Sequence, residues 1–413
     1  MAFPVAGEFA KATDGMRRGV LKWCGVSPAG VCFAAHTNDR TMFATFRLFV
    51  GMYASLAVIS GAGLVLGPGI ARGDSFVFVS LLQQRQIVTF RRDPETGELT
   101  RSHATDTPAE PAFMAASADG RTLFMSLRSS GQLASYRVDP ATGRLELIGV
   151  VDGGPDPAFL ALDRSGRFLL TAYYVDNKVS VHAIEASGAL SVSPVDSRPT
   201  AANAHGIAID SRNECVYVSH TGANRIDQFR FDAANGKLKP MEPPFAVARP
   251  GQNPRHITLH PSDRWAYCSN EAGGSDQDGA SMYLRDPGNK TLCLAQSVSS
   301  LPDDFDATKN STAHCEMTSD GRHFYVANRG HDSIAAFAIA PDTGELTRIS
   351  ITPTEAVPRS FTITADGKYL YAAGEKSGRV AGYRIGESGS LEPIGVVTSG
   401  PISWAVLAVE TKR

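Results

Sequence analysis

Four short segments of this sequence carry residue types suited to anion binding and proton transfer. They are Asn203-Ala204-His205-Gly206, Asn253-Pro254-Arg255-His256, Ser269-Asn270-Glu271 and Ala327-Asn328-Arg329-Gly330. Arginine presents a planar fork of donors that matches a carboxylate or a phosphate. Histidine exchanges a proton near neutral pH, and a glutamate can act as a base or hold a partner in place. The same donors can stabilise the charge that develops when a lactone carbonyl is opened. Each residue also has a plainer reading. A lone arginine at a turn is more often a surface or salt-bridge residue, and a lone histidine before an apolar strand is more often structural.

The remaining candidates are weaker. His256 is expected to point opposite to Arg255 if the strand alternates there. His314, before Cys315, can approach a channel mouth. His260, before Pro261, looks like a turn residue, and His220 and Asp276 are loop candidates. No spacing resembles a compact zinc motif or a calcium loop. There is no G-x-S-x-G elbow, phosphate-binding glycine loop or dinucleotide fingerprint. The expected chemistry therefore uses side chains alone, with no metal and no cofactor.

The elements that must position these residues come from a repeat. Asp119-Gly120 leads into the apolar run Thr122 to Ser126, and a polar turn from Arg128 to Gly131 follows. The alternating run Gln132 to Val138 then enters the turn Asp139-Pro140-Ala141-Thr142-Gly143. The slot of Gly120 recurs at Gly73, Gly166, Glu214, Asp263, Gly321 and Gly367, with a longer step between Asp263 and Gly321. The later turn recurs at Asp93 to Gly97 and Asp342 to Gly344, and more loosely at Asp232 to Gly236 and Gly386 to Gly389. Each repeat is long enough for one four-stranded antiparallel sheet, which cannot bury both faces alone. Radial stacking buries them, so the expected fold is all-β, a seven-bladed propeller. The last run, Ile402 to Val409, has no full blade behind it and is expected to complete the first blade and close the ring.

His205 and Arg255 fall at comparable positions before the innermost strands of successive blades. Glu271 and Arg329 fall at a second comparable position, after the next strand. Equivalent positions lie on one rim, so all four can face one central opening. Two polar stretches, Ala272 to Gly279 and Gln296 to Ser311, read as excursions near that part of the ring.

Outside the repeat, residues 1–71 form an N-terminal extension and 72–413 the propeller. Residues 1–46 show no clear periodicity. Leu48 to Ile70 contains no charged residue, and its length and small-residue content suit an export signal or a membrane anchor. An exported or anchored protein is the expectation, with a cytoplasmic one as the alternative, and any membrane contact is confined to this segment. The 40 basic and 42 acidic residues give no strong field for nucleic acid. Six cysteines without a CxxC pair are too few for a disulfide-built scaffold; buried thiols are expected, with one disulfide as the alternative.

The residues of the repeat resemble those of the seven-bladed propeller lactonase family, which includes bacterial 6-phosphogluconolactonases and fungal carboxymuconate lactonizing enzymes. The resemblance spans about residues 72–409. It is carried by Pro254 to Pro261, by Ser319 to Ile334 and by Pro358-Arg359-Ser360-Phe361. It implies that His205, Glu271, Arg255 and Arg329 are catalytic. Arg255 and Arg329 would also bind substrate, with His256 and His314 as further binding candidates. The chain departs from the family at His220, where members often carry aspartate, and near His314, where many carry an acid. The implied activity is hydrolysis of a sugar-acid lactone, with 6-phosphogluconolactone as the first choice. The implied partner is a small anionic lactone or carboxylate. The alternatives are a carboxymuconate cyclase-type lactonization and a propeller that binds a partner without catalysis.

Overall fold

The computed structural model describes residues 74–272 and 278–412, together with the backbone of 21–26 and 32–36. The chain divides into two units, Met1–Leu66 and Gly67–Arg413. In the first, Leu21–Val26 pairs antiparallel with Cys32–His36, a hairpin that the sequence pattern did not reveal. The apolar stretch Leu48 to Ile70 and Asp276 lie outside the described residues. Among the described residues, no helix is long and apolar enough to cross a membrane.

The second unit contains seven four-stranded antiparallel sheets. Their inner strands are Ser403–Glu410, Pro111–Ala116, Pro157–Leu162, Ala204–Ile209, Pro254–Leu259, Thr312–Met317 and Pro358–Ile363, in blades one to seven. The first blade takes its inner strand from the C-terminus. Ser75–Leu81 pairs there with Ser403–Glu410, from Ser75 opposite Glu410 to Leu81 opposite Ser403. The ring is therefore closed by hydrogen bonds between its two ends, which leaves no open edge at the seam.

The repeat slot is a left-handed turn residue whose N–H returns to the carbonyl three residues earlier. Gly120, Gly166, Asp263, Gly321 and Gly367 occupy it as expected. In the fourth blade the residue is Asn213 (φ 62°) rather than Glu214. Asparagine tolerates this conformation better than glutamate does. Gly73 lies outside the described residues. The excursion in the fifth blade also begins later than expected. Gln296 belongs to the outer strand Leu292–Val298, and the non-sheet segment holds the 3-10 turn Ala307–Lys309.

The second recurrent turn explains how blades lock together. Gly344 in the sixth blade has φ 77°, and a Cβ there would lie 2.4 Å from the ring of Trp265 in the fifth. Its carbonyl also accepts the Tyr267 hydroxyl at 2.8 Å. The same contact recurs between Gly389 and Tyr325, and between Gly97 and Tyr371 across the seam. The turn thus needs glycine for its backbone angle and for the neighbouring ring. Gly344→Ala is expected to cost about 3 kcal/mol through both effects. Gly367 has φ 69° with nothing within 4 Å of its would-be Cβ. Gly367→Ala should therefore cost only about 1–2 kcal/mol, the backbone part. Denaturant unfolding of both variants checks the ordering. Equal losses would remove the inter-blade contact from the explanation.

Cys215, Cys268 and Cys315 are buried thiols in the sheets, as expected, whereas Cys293 is disulfide-bonded, which was the alternative.

Candidate active site

The site residues stand where inner strands begin and second strands end. In every blade, the residue after the second strand donates its N–H to the carbonyl of the residue before the inner strand. Arg128, Glu271, Arg329 and Glu375 occupy this slot in four blades, donating to Glu110, Asn253, Ser311 and Val357 at 2.9–3.0 Å. One repeated backbone bond thus brings four charged side chains to the same end of the ring.

A second device aims the inner-strand residues. In the fifth blade, Pro254 pairs with Asn270 and His256 with Ser269, so Arg255 is an extra residue, a β-bulge. His205 is the extra residue in the fourth blade and Arg359 in the seventh. A bulge breaks the two-residue alternation and re-aims the side chain. The expectation that His256 points opposite to Arg255 is therefore corrected. Arg255 Nη1 lies 3.2 Å from His256 Nε2, and both residues are buried.

Glu271 is the hinge of the cationic group. Its Oε1 accepts Arg329 Nη2 at 2.6 Å and stands 3.5 Å from Arg255 Nε. That second approach is not a hydrogen bond, and Arg255 Nε is buried without an acceptor. Arg329 is further fixed by Nη2 to the Thr312 carbonyl at 3.2 Å and Nε to the Ser311 carbonyl at 3.3 Å. One carboxylate therefore serves two guanidiniums. Burial, followed by the charges of Arg329 and Arg359, pushes the Arg255 pKa down, and Glu271 opposes them. Such a site favours a further anion or a developing oxyanion.

His205 is buried, with Tyr174 edge-on at 5.7 Å and the His256 ring at 5.0 Å. Its Nδ1 is buried without a hydrogen-bond partner. Burial first, then Arg255 and three other arginines, hold its pKa well below the ordinary histidine value. The imidazole is thus neutral at physiological pH and able to accept a proton.

His256 and His314 lie in one chain of contacts. A guanidinium can only donate, so His256 Nε2 accepts from Arg255. The neutral His256 ring then carries its proton on Nδ1, 2.7 Å from His314 Nδ1. That leaves the His314 proton on Nε2, which faces Glu316 Oε2 at 3.6 Å. The two histidines therefore back Arg255. Phe113 stacks on Phe159 at 3.9 Å, and Phe159 meets the His256 ring at 4.7 Å. Phe113 also approaches His256 and His314 at 6.1 and 6.2 Å. These contacts join the second blade to the fifth and sixth across the axis, so rings fill the channel at this level and floor the site.

His220 is not a loop residue. It ends the strand Cys215–His220, fully buried, 3.5 Å from Asp227 Oδ2. His260 sits in a turn, with Nδ1 2.7 Å from the Ser262 hydroxyl. Among the described residues, no group of three or more His, Cys, Asp or Glu could hold a metal ion.

Residues 76–407 match the family model described as lactonase, 7-bladed β-propeller. The chain belongs to the seven-bladed β-propeller lactonase family. A 6-phosphogluconolactonase from Erwinia tasmaniensis is 32% identical over 360 residues, covering 86% of this chain and 92% of that protein. The periplasmic gluconolactonase of Pseudomonas aeruginosa has the same fold, with a TM-score of 0.74 and 23% identity over 82% of this chain and 99% of that one. A protein from Lactobacillus plantarum matches with a TM-score of 0.72 and 21% identity, over 82% of this chain and 100% of its own.

In this lactonase-family chain, sequence reasoning missed three residues at the same mouth: Arg359, Arg128 and Trp404. Arg359 is the bulge residue of its blade, as Arg255 is of another. Arg128 follows its second strand, as Arg329 does. The offsets that located Arg255 and Arg329 would have located both.

Proposed function

We propose that this protein hydrolyses a sugar-acid lactone, with 6-phosphogluconolactone as the first candidate. The observation that carries the reading is the convergence of His205, Arg255, Glu271 and Arg329 at one mouth, where a buried Arg255 N–H has no acceptor. The family supplies the reaction class.

The residues divide the work as follows. Arg255 and Arg329 donate to the carbonyl oxygen as it gains negative charge. Neutral His205 takes a proton from the attacking water as the new C–O bond forms. The ring C–O bond then breaks, and the same imidazolium returns the proton to the departing ring oxygen. Glu271 holds Arg329 by a hydrogen bond and sets its carboxylate charge beside Arg255. His256 and His314, backing Arg255 from the floor, act as positioning residues.

A panel of aldonolactones, phosphorylated and not, tests this directly. The wild type should accelerate opening of at least one, measured by acid release in a pH-stat. Glu271→Gln should lower kcat/KM about 10–100-fold, since it leaves two guanidiniums without their shared carboxylate. A wild type that opens no lactone in the panel sinks the reading.

A further inference from the structure

We propose that Arg359 and Arg128, together with Trp404, form a second anion site that holds a phosphate on the far end of the substrate. The proposal deepens the lactone reading and rests on it. The seventh, first and second blades supply Arg359, Trp404 and Arg128 in turn. The guanidinium carbon of Arg359 lies 3.5 Å from the centre of the Trp404 ring, and that of Arg128 lies 5.2 Å from it. Arg359 Nη1 donates to Glu375 Oε2 at 3.2 Å, and Arg128 Nη2 to Asp156 Oδ2 at 2.9 Å. Ring and carboxylate fix each guanidinium in place. Neither uses up its five N–H donors, which match a phosphate bidentately.

The charge count points the same way. The arginines at this mouth, Arg128, Arg255, Arg329 and Arg359, have three carboxylates within ion-pair distance, Asp156, Glu271 and Glu375. One positive charge is left over. Burial, with Arg329 and Arg128 adding to it and Glu375 opposing, pushes the Arg359 pKa down to about 10. A bound dianion would relieve this repulsion.

His205 stands with Arg255, so proton transfer belongs there. Trp404 instead holds the guanidiniums of Arg359 and Arg128, which have no histidine beside them in the contacts that fix them. The lactone carbonyl is therefore placed at Arg255 and Arg329, and a phosphate monoester at Arg359 and Arg128.

The test is steady-state hydrolysis of 6-phosphogluconolactone and of glucono-δ-lactone by wild type, Arg359→Gln and Arg128→Gln. The wild type should prefer the phosphorylated lactone. Each variant should lower the ratio of the two kcat/KM values about 10–100-fold, the worth of charge-assisted hydrogen bonds. Near-ultraviolet circular dichroism checks folding, and Arg128→Gln stands in if Arg359→Gln does not fold. A ratio that stays put, or a wild type without preference for the phosphate, overturns the proposal while leaving lactone hydrolysis intact. Should the wild type open neither lactone, the hydrolytic reading fails separately. Calorimetric titration with 6-phosphogluconate and gluconate then decides the anion site. Tighter binding of the phosphorylated acid, lost in Arg359→Gln, supports it, and equal affinities overturn it.

Discussion

Changing His205 to asparagine should lower kcat for lactone opening by about 10²–10⁴-fold, the range for losing a positioned general base. Asparagine keeps a polar side chain beside Tyr174 and His256 but cannot take up a proton. The effect should fall mainly on kcat, because the arginines that bind the substrate remain. The pH profile carries the sharper test. A base must be unprotonated, so activity falls as pH drops through its pKa. Burial and the surrounding arginines hold the His205 pKa well below 6.5. The acid limb of wild-type kcat/KM should accordingly lie well below pH 6.5, with no inflection near that value. An ordinary histidine inflection at pH 6.5 that vanishes in His205→Asn would sink the proposed environment. Wild-type rates in the variant would sink the role.

Arg255→Gln is expected to have the second large effect, about 10²–10³-fold in kcat, as for the loss of one oxyanion donor. Arg255 makes a poor structural residue. It is buried, shares one carboxylate with Arg329 and has an Nε without an acceptor. Removing its charge should therefore stabilise the fold or leave it unaffected, since burial with incomplete pairing is costly. Rate and stability are thus predicted to move apart. Kinetics and denaturant unfolding of the same preparation check both. A variant that loses stability in step with activity would make Arg255 part of the scaffold instead.

His256 and His314 connect these two results. They hold Arg255 from below through directed hydrogen bonds, and the aromatic floor packs around them. The sequence expectation placed them as substrate contacts. Their ring nitrogens face Arg255, Glu316 and each other, and the influence on the substrate proposed for them is through Arg255.

The amino-acid sequence by itself determined the blades, their number and the end where the candidate residues gather. Each blade must bury two apolar faces, so its strand pattern repeats and each repeat can be read alone. His205, Arg255, Glu271 and Arg329 were legible because they sit at fixed offsets from that pattern. Only the tertiary structure decided two further things. One extra residue in an inner strand barely alters hydrophobic alternation, so the bulges at His205, Arg255 and Arg359 were not visible, nor was the turn of Arg255 toward His256. The meeting of Arg128, Arg359 and Trp404 was the second: the closure of Ser75–Leu81 against Ser403–Glu410 was expected from the sequence, but not that these three side chains pack together there. That closure sets the seventh, first and second blades side by side. Residues so far apart in the chain become neighbours only when its ends are joined.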